Sequence, residues 1–365
     1  MGSTWGNQLK LSAFGESHGK GVGVVIDGFP AGFTFDMEFI QREMSRRAPG
    51  QSSLTTARKE ADQPDILSGI LDRVTTGAPI CMMVHNTDTH SKDYENLRTV
   101  PRPGHSDYTG GLRYRGYNDI RGSGHFSGRL TAPIVFAGAL CKDFLSKRHN
   151  VEIGSHILSV GGVSDRPFDP VNVNRELLLK LQQEQLPLID HEAEEKMKET
   201  VEQAKKELDS VGGVIECAVV GVSAGIGSPI FQNVESRIAS VLYSVPAVKG
   251  VEFGLGFAIS GKRGSEVNDS YIKDGERILT KTNHNGGITG GITTGMPILF
   301  RAAVKPTPSI AREQQTLNLE KGKEETLQIH GRHDPCIALR APVVIEAAAA
   351  VAIMDLYLEA YGYDA

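Results

Sequence analysis

Apolar runs bounded by glycine and proline turns recur along the chain, at 22–27, 80–85, 214–222, 255–260 and 298–304, and each reads as a strand. Three longer segments read as helices. The first is RLTAPIVFAGALCKDFLSKR at 129–148. The second is the charged stretch 191–210, stopped by Gly212 and Gly213. The third is 342–361, where Pro342 suits a first helical turn. The last of these has almost no polar face, so it belongs in a core or a subunit contact. Turns and hairpin-sized loops join the strands more often than crossover helices do, which predicts an antiparallel α+β fold.

Two stretches share one local pattern. VVIDGFPAGFTFDMEFIQREM (24–44) and AVVGVSAGIGSPIFQNVESRI (218–238) each run from an apolar strand through a G-x-x-A-G turn into an amphipathic helix, and TTGAPI (75–80) returns as TTGMPI (293–298). The reading is an internally duplicated single large domain. Its similar halves span about 1–150 and 205–310, a C-terminal helix follows, and the segment 166–190 connects the halves. No Gly/Ser linker separates independent units.

Composition narrows the classes. A chain of 365 residues buries a substantial core without staples. Cys81, Cys141, Cys217 and Cys336 form no C-x-x-C pair, so neither a metal site nor a disulfide framework is expected. The start MGSTWGNQLKLSAFGESHG has no apolar core of a signal peptide, which makes a cytoplasmic protein the expectation. Glu346 and Asp355 interrupt the longest apolar run, which is too short to span hydrocarbon comfortably, so no membrane span is expected. A net charge of -5 gives no overall attraction to nucleic acid or anionic lipid, and anion binding must come from local clusters.

GESHGKG, PRPGHSDYTGG and HGRHDPC each set a proton-handling residue among turn residues: His18, His105 and Asp334. Singly, each also fits a turn histidine or an Asx-turn aspartate bonded to backbone. Arg42, Arg46 and Arg47 fall near the end of the helix predicted before Pro49-Gly50, and Arg98, Arg102, Arg113, Arg115, Arg121 and Arg129 surround His105. Paired guanidinium donors suit a small polyanion, whereas a solvated basic face is the plainer reading. RGSGHFSG (121–128) is not a dinucleotide loop, because the polar stretch YRGYNDI precedes it where a buried strand is required. It remains a candidate phosphate-cradling turn before the helix near Arg129, as does KPTPSI at 305–310.

Together with RRAPG (46–50), NTDTHSKDY (86–94), PAVKGVEFG (246–254), NHNGGITGG (283–291), KPTPS (305–309) and GRHDPCIALRA (331–341), these segments resemble the successive signatures of chorismate synthases, in family order. The resemblance implies antiparallel sheets sandwiching a layer of helices, in a homotetramer. It implies anti-1,4-elimination of phosphate from 5-enolpyruvylshikimate 3-phosphate to give chorismate, the last common step of the shikimate pathway. Reduced FMN is required although no net redox change occurs.

By motif, His18 would protonate the reduced flavin, His105 would assist phosphate departure, and Asp334 would support proton removal. His125, Phe126, Ser127, Ala247, Gly290, Lys305, Pro306, Thr307, Pro308, Ser309 and Arg332 correspond to flavin contacts. Arg46, Arg47 and Arg129 correspond to positions that hold substrate or NADP. The chain departs from the family where R-S-S-A-R-E-T reads His125-Phe126-Ser127-Gly128-Arg129-Leu130-Thr131, and Ser53 replaces a basic residue. The second departure makes a separate flavin reductase the expected source of reduced FMN, with NADPH only a candidate reductant. An FMN-dependent oxidoreductase acting on a small anion and a non-catalytic anion binder are the competing classes, and product analysis separates them.

Overall fold

The computed structural model describes residues 2–50, 62–87, 96–329 and 334–364. Two five-stranded antiparallel sheets face each other. The first runs Thr4–Trp5, Lys10–Gly15, Gly21–Asp27, Ile80–His85, Asp65–Ser68, and the second runs Val248–Phe253, Ile298–Val304, Gly213–Val220, Glu152–Val160, Val163–Ser164. Between them lie the helices Thr131–His149 and Ala341–Tyr361, packed on each other and flanked by Met37–Arg47 and Val234–Leu242.

The two central helices are apolar on all sides, as a layer covered on both faces must be. The helix Ala341–Tyr361 is buried from Ala341 to Leu358. The stretch Ile337–Tyr361 is long and apolar enough to cross a membrane, yet 83% of its most apolar window lies inside the protein. The central pair touch most closely at Gly138, where an added Cβ would sit 2.3 Å from Ala347.

Four ionic side chains inside this layer are paired with one another. Arg46 donates to Glu43 at 2.9 Å and grips both oxygens of Glu346 at 2.8 and 2.9 Å, while Lys142 donates to Glu43 at 2.6 Å and to Glu346 at 2.7 Å. Burial works against the Glu346 carboxylate, but Arg46 and Lys142 bring its pKa down to about 2. The two cations and two anions balance, as buried charge requires.

The two T-T-G segments occupy corresponding places. Thr75 donates to the Pro30 carbonyl at 2.6 Å and accepts from Phe33 N at 3.0 Å; Thr293 donates to the Ser223 carbonyl at 2.6 Å and accepts from Ile226 N at 2.9 Å. The backbone bonds match as well, with Gly32 N to Thr75 O at 2.8 Å and Gly225 N to Thr293 O at 2.9 Å.

The sequence reading departs from the structure at one expected strand. The expected strand 255–260 is a 3-10 turn, Gly256–Gly261, because Gly254 and Gly256 take positive φ and turn the chain after the strand Val248–Phe253. The segment 166–190, read as the connection between the halves, is structured. It carries the helix Arg175–Leu181 and is anchored on the second sheet by His156, which lies 3.1 Å from Asp165 and 3.0 Å from Glu216. Phe168 N also donates to Glu216 at 2.7 Å. Burial opposes the charged form of His156, yet the two carboxylates raise its pKa above the ordinary histidine value.

Candidate active site

His105 sits at the start of the short helix Asp107–Arg113, in a loop turned by Gly104 at positive φ. Its Nδ1 is 2.8 Å from Asp107 Oδ1 and its Nε2 is 3.2 Å from Ser123 Oγ. Arg102 forks onto Asp107, with Nε to Oδ2 and Nη2 to Oδ1, both at 2.7 Å, and its Nη1 donates to Ser309 Oγ at 3.0 Å. Asp107 is buried, which disfavours its charge, but the Arg102 and His105 bonds win and hold its carboxyl far below the usual range. The Asp107 carboxylate on Nδ1 orients the ring and points Nε2 at Ser123 Oγ.

Ser123 belongs to a left-handed run, Gly122 at φ 55, Ser123 at φ 71 and Gly124 at φ 52, which turns its hydroxyl toward His105 and Arg102. Gly122 lies against the buried ring of His18, and an added Cβ there would meet His18 Nε2 at 2.5 Å. The loop before the strand Gly21–Asp27 and the turn 122–124 therefore fit together only because position 122 has no side chain.

The KPTPS loop joins the same body. Lys305 Nζ donates to the Gly104 carbonyl at 2.6 Å and Lys305 N to the Ala247 carbonyl at 2.9 Å, while Thr307 Oγ1 donates to the Asp334 carbonyl at 2.9 Å. The side chain of Asp334 faces Arg340, 3.7 Å away. His18, His105, Asp334, Ala247 and Lys305–Ser309 thus line one connected set of loops.

A second group adjoins it. Asp62 accepts from Arg47 Nη1 at 2.6 Å and from Arg129 Nη1, and although burial would raise its pKa, the two guanidiniums hold it below the usual range. Arg129 Nε donates to Asn86 Oδ1 at 3.1 Å, and Asn86 Nδ2 donates to the carbonyls of Glu16 at 2.9 Å and Gly19 at 3.0 Å, which ties these arginines to the His18 loop. Ser127 accepts from Arg129 N at 3.2 Å.

Other expected residues make different contacts. Arg46 is turned into the Glu43, Lys142 and Glu346 cluster, so its terminal nitrogens are committed to carboxylates and not to the loops that hold Arg47. His125 bonds Ser3 Oγ at 3.0 Å and the Gly15 carbonyl at 2.9 Å, and the Phe126 ring packs on Gly110 beside Tyr114. Gly290 occupies the turn between Ile288–Thr289 and Ile292–Thr293, at positive φ. Arg332 lies outside the described residues. Sequence reasoning did not single out Asp62, Asn86, Asp107, Ser123 and Arg340, although all but Asp62 lie in segments it quoted: NTDTHSKDY, PRPGHSD, RGSGHFSG and GRHDPCIALRA.

The model of the chorismate synthase family matches residues 9–358. The chain belongs to the chorismate synthase family. Chorismate synthase of Methanocella arvoryzae is 46% identical over 354 residues, covering 97% of this chain and 94% of that protein. That of Pyrococcus abyssi is 47% identical over 350 residues, 96% of each. A crystal structure of chorismate synthase superposes with a TM-score of 0.75 at 30% identity, covering 98% of this chain and 94% of the other. The chain is accordingly that of an enzyme with a small-molecule substrate, built on the antiparallel sandwich this family shares.

Proposed function

We infer that the protein is a carbon-oxygen lyase that converts 5-enolpyruvylshikimate 3-phosphate to chorismate and phosphate, with reduced FMN required. The observation that carries this reading is the continuous hydrogen-bonded body in which His105, Arg102, Ser123 and Ser309 meet, in a chain of this family.

The residues present fit a phosphate-bearing flavin. Lys305 and Arg102 supply cationic donors beside the hydroxyls of Thr307 and Ser309, and Gly104 opens the loop between them. Ala247, Ser127 and Lys305–Ser309 would hold the group, and His125, Phe126, Gly290 and Arg332 keep that assignment by motif alone. When bound, reduced FMN would supply electron density to a substrate whose departing proton is not acidified by a neighbouring carbonyl.

The protein's own part is electrostatic. Negative charge grows on the phosphate as the C–O bond breaks, and an imidazolium at His105, backed by Asp107, would stabilise that charge most in the transition state. Arg47 and Arg129, aligned by Asp62, would hold anionic groups of the substrate. Asp334, pinned through its backbone by Thr307, would assist removal of the proton, and His18 would hold the proton exchanged with the flavin.

The test is an anaerobic assay with chemically reduced FMN, following chorismate and phosphate together. Equal release of the two without consumption of reductant is expected; reductant consumed at each turnover would establish an oxidoreductase instead. His18→Ala, His105→Ala and Asp334→Asn should fold, bind FMN and lose about 10²–10⁴-fold in turnover. Near-normal turnover in both histidine variants would defeat the assignment. A separate flavin reductase is the proposed source of reduced FMN, with NADPH only a candidate reductant. A homotetramer is the proposed assembly, and a monomer mass by light scattering at micromolar concentration would refute it.

A further inference from the structure

Asp107 Oδ1 lies 2.8 Å from His105 Nδ1 and accepts from Arg102 Nη2 at 2.7 Å. The same Nη2 donates to Ser123 Oγ at 3.1 Å, and Ser123 Oγ lies 3.2 Å from His105 Nε2. The four side chains therefore close a ring around the imidazole. We propose that Ser123 is a positioning residue for His105, holding the nitrogen that Asp107 does not reach, a reading that rests on the function proposed above.

The backbone shows what the serine adds. Gly122, Ser123 and Gly124 all take positive φ, and both glycines are demanded by close contact. A Cβ at 122 would meet His18 Cδ2 at 2.3 Å, and one at 124 would meet the Asp119 carbonyl at 2.1 Å. Ser123, between them, carries a side chain in a conformation that glycine adopts with less strain. The turn does not need its hydroxyl, because Ser123 N donates to Ile120 O at 3.1 Å and Ser17 N donates to Gly124 O at 3.1 Å. Glycine at 123 would build the same turn. The bonds of Oγ to Arg102 and His105 are what it would lose.

Proton bookkeeping suits a hydroxyl at this place. A serine has one proton to give and two lone pairs to accept with, whereas a guanidinium donates and never accepts. Arg102 therefore occupies one lone pair. The other accepts from a protonated Nε2, or the hydroxyl proton goes to a bare one, so the contact survives in either state of the ring. A charged group there would favour one state over the other.

Position is the gain. Nδ1 is flanked by Asp107 and by Arg102 Nη2 at 3.1 Å, while Nε2 has Ser123 alone among the described residues. One held nitrogen lets the ring rock about that contact; the second fixes its plane. A group that must meet a departing phosphate acts fastest when its direction is set beforehand. Through Ser17 N on Gly124 O, the same turn also sets His105 against the loop that carries His18.

Ser123→Gly and Ser123→Ala are assayed in the whole protein, alone and in the His105→Ala background, with reduced FMN and 5-enolpyruvylshikimate 3-phosphate. Each single variant should lose about 10-fold in kcat, the scale of one hydrogen bond, with KM changed less than about twofold. In the His105→Ala background neither change should cost anything further, because Ser123 acts through the ring. Equal losses in both backgrounds would make Ser123 a part of the turn and nothing more, and no loss in either overturns the proposal as well. A second readout does not depend on turnover: diethyl pyrocarbonate acylates imidazole nitrogens, and peptide mass spectrometry follows His105 by itself. Labelling of His105 should run about 10-fold faster in Ser123→Gly than in wild type; equal rates overturn the proposal. Ser123→Ala keeps the Cβ and carries both tests if the glycine variant does not fold. A wild-type protein that forms no chorismate would sink the functional reading, and the labelling of His105 would then decide the role of Ser123 by itself.

Discussion

His105 Nδ1 lies 2.8 Å from Asp107 Oδ1, and the same carboxylate takes a two-pronged bond from Arg102. One aspartate therefore orients both the histidine ring and the arginine that reaches Ser309.

Asp107→Asn removes the negative charge and leaves Arg102 buried without it, so a loss of about 3–5 kcal/mol in stability at pH 7 is expected, together with reduced turnover. The folded pKa of Asp107 is depressed, so its contribution is present above the unfolded value near ~3.9 and disappears as pH falls through the folded value. Denaturant melts of both proteins between pH 7 and pH 3 should show the gap narrowing at the acid end. A constant gap would contradict this account.

His156 has the opposite sign. Its folded pKa is raised, so the stability it adds is complete below about pH 6.5 and is lost as pH climbs through the folded value. His156→Gln should cost about 3 kcal/mol at pH 6, and less at pH 9, because at pH 6 the variant leaves Asp165 and Glu216 without their cation. Thermal melts of both proteins across that range provide the check, and a cost that grew with pH would refute the pairing.

The paired hairpins make a symmetrical prediction. Thr75→Val and Thr293→Val each keep the shape and strand two buried backbone groups, so each should destabilise by about 1–3 kcal/mol, and by similar amounts. A large cost for one and none for the other, by chemical denaturation, would show that the two sites differ in kind.

Much of the fold was legible because local pattern and burial agree. The runs at 22–27, 80–85 and 298–304 alternate or stay apolar as strands covered by helices must, and the structure places strands there. The edge strand Val248–Phe253 was missed because VKGVEF mixes charge and glycine on a half-exposed face. Arg46 and Arg47 show the limit at the site. They are neighbours in sequence but about 100° apart around a helix, so one enters the internal cluster and the other reaches Asp62. Nothing near Asp62 in the sequence signals its partner Arg129, which lies 67 positions away.

The T-T-G and G-x-x-A-G repeats were read as halves of about 1–150 and 205–310. We propose that the second half begins near residue 150 and includes the C-terminal helix, the counterpart of Thr131–His149. Ala-Pro opens both helices, at 132–133 and 341–342, and Gly138 meets Ala347 where they cross.

The order of the two central helices along the chain fixes an order of events during synthesis. Ala341–Tyr361 is made long after its partner Thr131–His149, so the inner faces of the sheets lack half of their cover until it emerges. A nascent chain of this protein therefore exposes an apolar layer that must be shielded until that helix is in place.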